Sequence, residues 1–414
     1  MRIKGVLIGL VIFVAACGSM PGQRSGSGDK LYQAMTSGHT QFISVIDSKS
    51  HAQERRLPLG VPSSDWQHLY SLDSTVLVDT DPATGRTRAQ LDLKHAYRMP
   101  SATASGMPGG LSQNSSWLVV ENYDQAGESL PTASHFLVVK TAAMQIAARI
   151  DLDGFFDFDA ISNDGKRLYL IQYLNGRQYY VRDYDIGART LDPHPVVDKN
   201  DGSDAMTGIR LSGVAPTGGG WLFSVYVRDH SNPFVHALSL DNTLAFCLDL
   251  RGGGYADDGT AMQWAIAMSP SGADIYAVNQ ASGDVAHIGL SDGTPRIVRA
   301  ERLGQPAAVA GLIKTAQAKE VGGNAAVVST DGKTVAVGGS SGVVWIDAQN
   351  LKVRERALSS WQIASLGLSP DGATLYAVGE GGRVAVITMA TASVATMFDL
   401  SGGQPMALMR VAAA

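Results

Sequence analysis

Carboxylates crowd one stretch of the chain: Asp198, Asn200, Asp201 and Asp204 fall in a single segment, and Asp257 and Asp258 are adjacent in another. Oxygen donors at that density are what a hard divalent cation needs, and calcium takes about 6–8 of them. The spacing misses the calcium-loop pattern, so solvated turn carboxylates are the simpler reading. If a cation binds, these oxygen-rich surroundings favour calcium over zinc. None of the nine histidines has zinc-ligand spacing with another, and only two cysteines are present. Gly338-Gly339-Ser340-Ser341-Gly342 matches the G-x-S-x-G spacing of a nucleophile elbow, but an elbow needs a helix after it and a strand begins at Val343. It reads as a hairpin loop, and no catalytic residue is assigned.

Two further groups suit recognition rather than catalysis. Tyr97, Arg98, Tyr123, Arg228, His230 and Tyr255 fall in a few long connections, and tyrosine and arginine anchor interfaces through amphipathic area and forked hydrogen bonding. Gln263, Asn324 and Gln362 each precede an apolar strand, as does Gln404, where an amide could line a channel mouth or satisfy strand-start backbone groups. No phosphate-cradling glycine loop is present. With 17% charged residues and a net charge of −5, the chain is not a nucleic-acid binder.

The elements that must position these residues come from a repeat. SPDGATLYAV, Ser369 to Val378, is a tight turn followed by a strand: Pro370 presets φ, Asp371 bonds the local backbone and Gly372 accepts positive φ. Copies begin at Ser329, Ser269 and Ser162, with degenerate ones at Ala215, Ser112 and Ser63. The starts lie about 40 to 60 residues apart, near the period of a four-stranded propeller blade. Apolar strands follow each turn, as in VVWIDAQ from Val343, and a fourth follows in turn, as in SVATMFDL from Ser393. Ser115 and Trp66 replace the turn glycine in two copies, which predicts a different geometry there.

On these residues the chain resembles the bacterial β-propeller superfamily of YVTN and WD-like repeats, lactonase-like proteins included. The resemblance implies an all-β propeller over residues 31–411 and, for lactonase-like members, a divalent ion near the central channel, with no motif here to carry that ion over. DPATG at Asp81 to Gly85 resembles a turn of quinone-dependent propellers, but their tryptophan-docking repeats are absent, so no cofactor is expected beyond the calcium already weighed.

Blade number and closure follow from the ends. Lys30 to Leu59 reads as the second to fourth strands of a blade lacking its first, and Gln404 to Val411 is an apolar strand with nothing after it. Joined, they close the ring and remove its open edges. Counting this composite gives eight blades, with seven if Leu57 to Pro62 belongs wholly to one blade.

Residues 1–17 carry Arg2 and Lys4, then an apolar run from Gly5 to Val14 that is too short to span a bilayer, then Val14-Ala15-Ala16-Cys17. The ending resembles a bacterial lipobox, which implies diacylation of Cys17 and a lipid-anchored protein of the cell envelope on its extracytoplasmic side. Residues 18–30 are Gly/Ser-rich and read as a flexible tether. Cys247, left without a partner, reads as a buried inert thiol.

In a four-stranded blade with strands A to D, the A–B and C–D turns share one face of the ring and the B–C and D–A loops the other. The long connections (Lys94 to Gly110, Glu121 to Ser134, Asp198 to Gly208, Arg251 to Met262 and Gly304 to Gly323) all fall in B–C or D–A positions. In the last, the alanine-rich segment from Pro306 suits a short helix. Insertions on one face mark a binding face. The expected function is a monomeric, membrane-anchored binding module for an envelope protein, glycan or small molecule. The alternative is a lactonase-like or other hydrolytic propeller.

Overall fold

A computed structural model describes residues 28–414 apart from 102, 105, 125–129, 197–203, 217, 258, 291 and 305–324. Cys17, the tether up to residue 27, Asp198, Asp201, Asp258, Asn324 and the alanine-rich segment from Pro306 lie outside the described residues.

The strands form eight antiparallel sheets, each a meander, arranged as the blades of one propeller. Blade 1 is the composite: Gln404–Ala412 is strand A and pairs with Lys30–Ser37, which pairs in turn with Thr40–Asp47 and Gln53–Pro58. The doubtful stretch divides, Gln53–Pro58 ending blade 1 and Val61–Pro62 opening blade 2. The seam is packed: Leu31 and Ile46 share a core with Tyr376 and Val378 of blade 8. On the other side, Tyr32 and Ile43 pack with Leu69 of blade 2. The propeller is therefore eight-bladed and closed by its own C-terminal strand.

Blade 3 departs from the four-strand rule. Its named strands are Trp117–Asp124, Ala133–Lys140 and Gln145–Asp153. The innermost position is filled only by bridges, Arg98 to Glu121 and Leu111 to Leu118. Among the described residues the only helices are two 3₁₀ turns, Thr141–Ala143 and Gly259–Gln263.

The A–B turns repeat one hydrogen-bond device. In blade 8 the Ser369 hydroxyl donates to Asp371 Oδ1 at 2.6 Å and accepts the Thr374 N–H at 2.8 Å. The same pair of bonds recurs at Ser63, Ser112, Ser162, Ser269 and Ser329. All six serines are buried, so each hydroxyl satisfies a backbone donor that would otherwise be orphaned. The serine bond also holds the Asp65, Asp331 and Asp371 carboxyls below their ordinary value.

Turn geometry at Ser115 and Trp66 is the same as elsewhere, contrary to expectation. Their φ values are 60° and 59°, against 72° at Gly372. Their N–H groups close the same bond to the serine carbonyl, Ser115 to Ser112 and Trp66 to Ser63. The serine device holds these residues in the left-handed region despite the cost of a Cβ there. The turn that does shift is that of blade 5, where Gly219 bonds back to Pro216.

Candidate functional site

Strand B of blade 3 alternates cleanly. Leu118 and Val120 pack toward blade 2, while Val119 packs toward blade 4 beside Ile161 and Leu168. With a period of two, Glu121 and Tyr123 continue the Val119 face and turn polar groups toward blade 4. Glu121, fully buried, accepts the Phe158 N–H through Oε2 at 3.2 Å, and the Tyr123 hydroxyl donates to Asp157 at 2.6 Å. Arg98 reaches both carboxylates, 3.2 Å from Glu121 and 3.6 Å from Asp157, with its guanidinium 4.6 Å over the Tyr123 ring. Burial, helped by the charge of Asp157, pushes the Glu121 carboxyl up to about 8. Burial and the same two carboxylates raise the Tyr123 hydroxyl strongly.

The next interface repeats the logic with aromatic rings. Strands B and C of blade 4, Arg167–Tyr173 and Gln178–Asp185, turn Ile171, Tyr173 and Tyr179 toward Tyr226 and Phe234 of blade 5. These join a chain of rings along the B–C end of three blades. Tyr123 meets Phe155 edge-on at 5.3 Å, Phe155 stacks on Tyr173 at 4.6 Å, and Tyr173 meets Tyr179 at 6.2 Å. Tyr179 then lies 6.1 Å from Tyr226, which stacks on Phe234 at 5.2 Å. Each end is covered by a guanidinium, Arg98 at one and Arg228, 4.3 Å over Phe234, at the other. Beneath the arc, Arg210 of blade 5 pairs with the buried Asp159 of blade 4.

Over this arc lies a cleft of about 540 Å³, lined among others by Asp157, Ile171, Tyr173, Arg210, Tyr226 and Tyr255. Its rim carries Ser101, Thr103, Arg177, Thr207 and Asp229. The connection from blade 2 into blade 3 forms one wall: it crosses to blade 5, where the Ala104 N–H donates to the Arg210 carbonyl at 2.9 Å. The opposite wall is the loop leaving blade 5, whose Tyr255 and Ala256 N–H groups bond to the carbonyls of Arg228 and Asp229. That approach requires glycine at 254, since a Cβ there would sit 2.1 Å from the Asp229 carbonyl oxygen.

The residues singled out from sequence divide among these places. Tyr255 lines the cleft itself; Arg98 and Tyr123 stand behind it on the lining Asp157, and Arg228 and His230 flank the lining Asp229 in sequence. His230 pairs with Asp257 at 3.0 Å, which raises the imidazole. Arg228 is also within 3.1 Å of Asp249. Tyr97 is misplaced: it packs into the core between blades 2 and 3, beside Arg149. Gln263 is half-buried at the end of a 3₁₀ turn, and Gln362, exposed, donates to Glu380. Asp204 is exposed, and no group of three metal-ligating side chains occurs among the described residues. Cys247 makes no disulfide among the described residues, and it is half-buried rather than buried, on strand D of blade 5. The G-x-S-x-G segment is the hairpin between Thr334–Gly339 and Gly342–Asp347.

Glu121, Asp157, Asp159, Arg210 and the tyrosines at 173, 179 and 226 went unmarked by sequence reasoning. A signal existed: each charge interrupts an otherwise apolar strand, as in WLVVENYD and FDFDAI. A second cavity, about 590 Å³, lies between the outer strands of blades 6 and 7 among Arg299, Arg302, Lys352 and Arg356. It is bounded by Gly304, next to the segment 305–324.

No family model matches the chain, and no curated protein does. Solved structures similar to it include the dihydro-heme d1 dehydrogenase NirN in complex with DHE, at TM-score 0.54 and 12% identity over 94% of this chain and 77% of that one. AztD of Citrobacter koseri has TM-score 0.54 and 8% identity over 94% and 98%. The periplasmic gluconolactonase PpgL of Pseudomonas aeruginosa, at TM-score 0.43 and 15% identity over 91% and 97%, is too loosely similar to bear on function. At such identities the likeness shows the shared propeller fold alone.

Proposed function

We propose that this chain is a binding propeller of the bacterial cell envelope, anchored through Cys17 on the extracytoplasmic side, that captures a ligand in the cleft over blades 3 to 5. The observation that carries the reading is the convergence of side chains from blades 4 and 5 and from two long loops, one entering blade 3 and one leaving blade 5, on one polar, aromatic cleft. Its volume, about 540 Å³, lies within the roughly 300–1,000 Å³ of small-molecule sites. The chain enters the ring at Asp29, held by the Tyr376 hydroxyl at 2.8 Å where strand B of blade 1 begins, which is the A–B face. An N-terminal anchor would therefore join the ring on the face opposite the cleft.

The hydrolytic alternative would need an acid and a base that both reach the ligand. Asp157 lines the cleft, but Glu121, the carboxyl raised toward neutrality, is fully buried behind it. The test is a thermal-shift screen of purified protein against a mixed panel of sugars, peptides, amino acids and nucleosides. Ligands should raise the melting temperature of the wild type and not that of Tyr173→Leu. Ligands that stabilise both equally, or none that stabilise the wild type, would contradict the reading.

A further inference from the structure

We propose, resting on the cleft just described, that its ligand is a neutral saccharide. Charge is the first criterion. The cleft is lined by two carboxylates, Asp157 and Asp229, and two guanidiniums, Arg177 and Arg210. Each already has a counterpart. Arg177 lies 3.7 Å from Asp229, Arg210 pairs with Asp159 behind it, and Asp157 takes the Tyr123 hydroxyl at 2.6 Å with Arg98 at 3.6 Å. An ionic ligand would have to displace a desolvated partner at Arg210, and at the rim it would meet only the solvated, loosely paired charges of Arg177 and Asp229, so it would lose hydration for little gain. A neutral ligand rich in hydroxyls meets the opposite situation. Paired carboxylates still accept hydrogen bonds at their remaining lone pairs, paired guanidiniums still donate from their remaining N–H groups, and Ser101 and Thr207 add hydroxyls at the rim.

Shape is the second criterion. Tyr173 on the floor and Tyr255 on a wall are both half-buried and line the cleft. Neither hydroxyl makes a hydrogen bond among the described residues. A pyranose ring presents C–H groups of slight positive charge on its faces and hydroxyls at its edge. The faces suit the negative faces of aromatic rings, and the edge suits fixed polar groups around them. Flat rings beside paired carboxylates and guanidiniums, with no net charge, are that combination.

The experiment is a glycan array carrying neutral oligosaccharides of glucose, galactose and N-acetylglucosamine beside uronic-acid and glucosamine oligomers. It is probed with the wild type, Tyr173→Leu, Arg177→Ala and, on the opposite face, Lys166→Ala. Circular dichroism verifies that each variant is folded. The proposal expects retention on neutral glycans by the wild type and Lys166→Ala, with affinity lowered about tenfold or more in Tyr173→Leu. Arg177→Ala, which removes an exposed side chain, should lower it by a smaller factor. A silent array overturns the saccharide assignment. Retention of charged glycans alone, lost in Tyr173→Leu, overturns it while leaving the cleft as the binding site. Retention of neutral glycans unchanged in both cleft variants overturns the cleft reading with it.

Discussion

Blades 6 to 8 and blades 3 to 5 solve the same packing problem with different residues. Between blades 6 and 7, and between 7 and 8, the buried interface is mostly alanine, valine, isoleucine and leucine, with Tyr276 and Trp345 as its fully packed rings; the buried polar groups at the B–C end of blade 6 are Asn279, Gln280 and Asp284, two of them neutral amides that donate to backbone carbonyls. Between blades 3 and 4, and between 4 and 5, the end of each interface nearest the B–C loops is built from tyrosines, phenylalanines, Glu121 and the Asp159–Arg210 pair. The turn repeat follows this division only in part, since it is also regular at Ser162 of blade 4. It is most regular at Ser269, Ser329 and Ser369, and degenerate at Ser112 and Ala215. A ring needs every interface to be filled but does not need any of them to be polar, and buried ion pairs seldom add stability over apolar packing. Polar groups retained where aliphatic ones would suffice mark the half of the ring that recognises something, while the regular half supplies rigidity.

The largest expected effect breaks the polar half. Asp159→Ala leaves the Arg210 guanidinium buried without its partner and should cost about 3–5 kcal/mol, whereas Asp159→Leu with Arg210→Leu should recover most of the loss. Urea denaturation of the three proteins measures this; an unchanged midpoint in the single variant would mean that Arg210 is not desolvated. Next is the aliphatic half, where Ile346→Ala opens a cavity in a fully buried interface and should cost about 2–4 kcal/mol. Binding by the folded fraction should be unaltered, and a loss of binding there would erase the distinction between the halves.

A pH titration sharpens the comparison further. Between its ordinary value of 4.5 and about 8, folded Glu121 keeps a proton that the unfolded chain has released. Its contribution is therefore fully present below pH 4.5 and is lost as pH rises through about 8, with a slope of at most about 1.4 kcal/mol per pH unit. Glu121→Gln should flatten that part of the stability profile, and an identical profile would show that the carboxyl is ionised when folded. The smallest effect belongs to the turns. Ser329→Ala removes the acceptor for the Thr334 N–H and should cost about 1 kcal/mol, as differential scanning calorimetry would detect, with no effect on ligand.

These expectations show what could be read from the sequence and what could not. The ring was legible because it depends on local rules: a serine and a left-handed residue close six of the A–B turns, with an acid two residues after the serine at Ser63, Ser162, Ser329 and Ser369, and apolar runs of strand length follow. The closing strand was legible because Gln404 to Val411 had no other partner to pair with. The surroundings of the cleft were partly legible, since Tyr255, which lines it, and Arg98, Tyr123 and Arg228, which neighbour its lining residues, lie in or beside long loops. Its floor was not. Tyr173, Tyr226 and Arg210 sit in strands, where a tyrosine or an arginine reads as ordinary β-sheet composition until the register shows which interface it enters. Tyr97 shows the converse: its place in a loop suggests an outward-facing ring, whereas it packs against the core between blades 2 and 3. At Ser115 and Trp66 the residue type suggested a different turn, and the serine hydrogen bonds overrode that preference.

The account rests on the claim that recognition belongs to blades 3 to 5 and rigidity to blades 6 to 8, and two variants test it most directly. Tyr173→Leu removes a ring face from the cleft while keeping apolar bulk, and Ile346→Ala removes bulk from the distant interface. Urea midpoint and glycan retention are measured for both. The account predicts that Tyr173→Leu keeps its midpoint near that of the wild type and loses retention, while Ile346→Ala loses midpoint and keeps retention in its folded fraction. The reverse pattern, or loss of both properties in both variants, would contradict it.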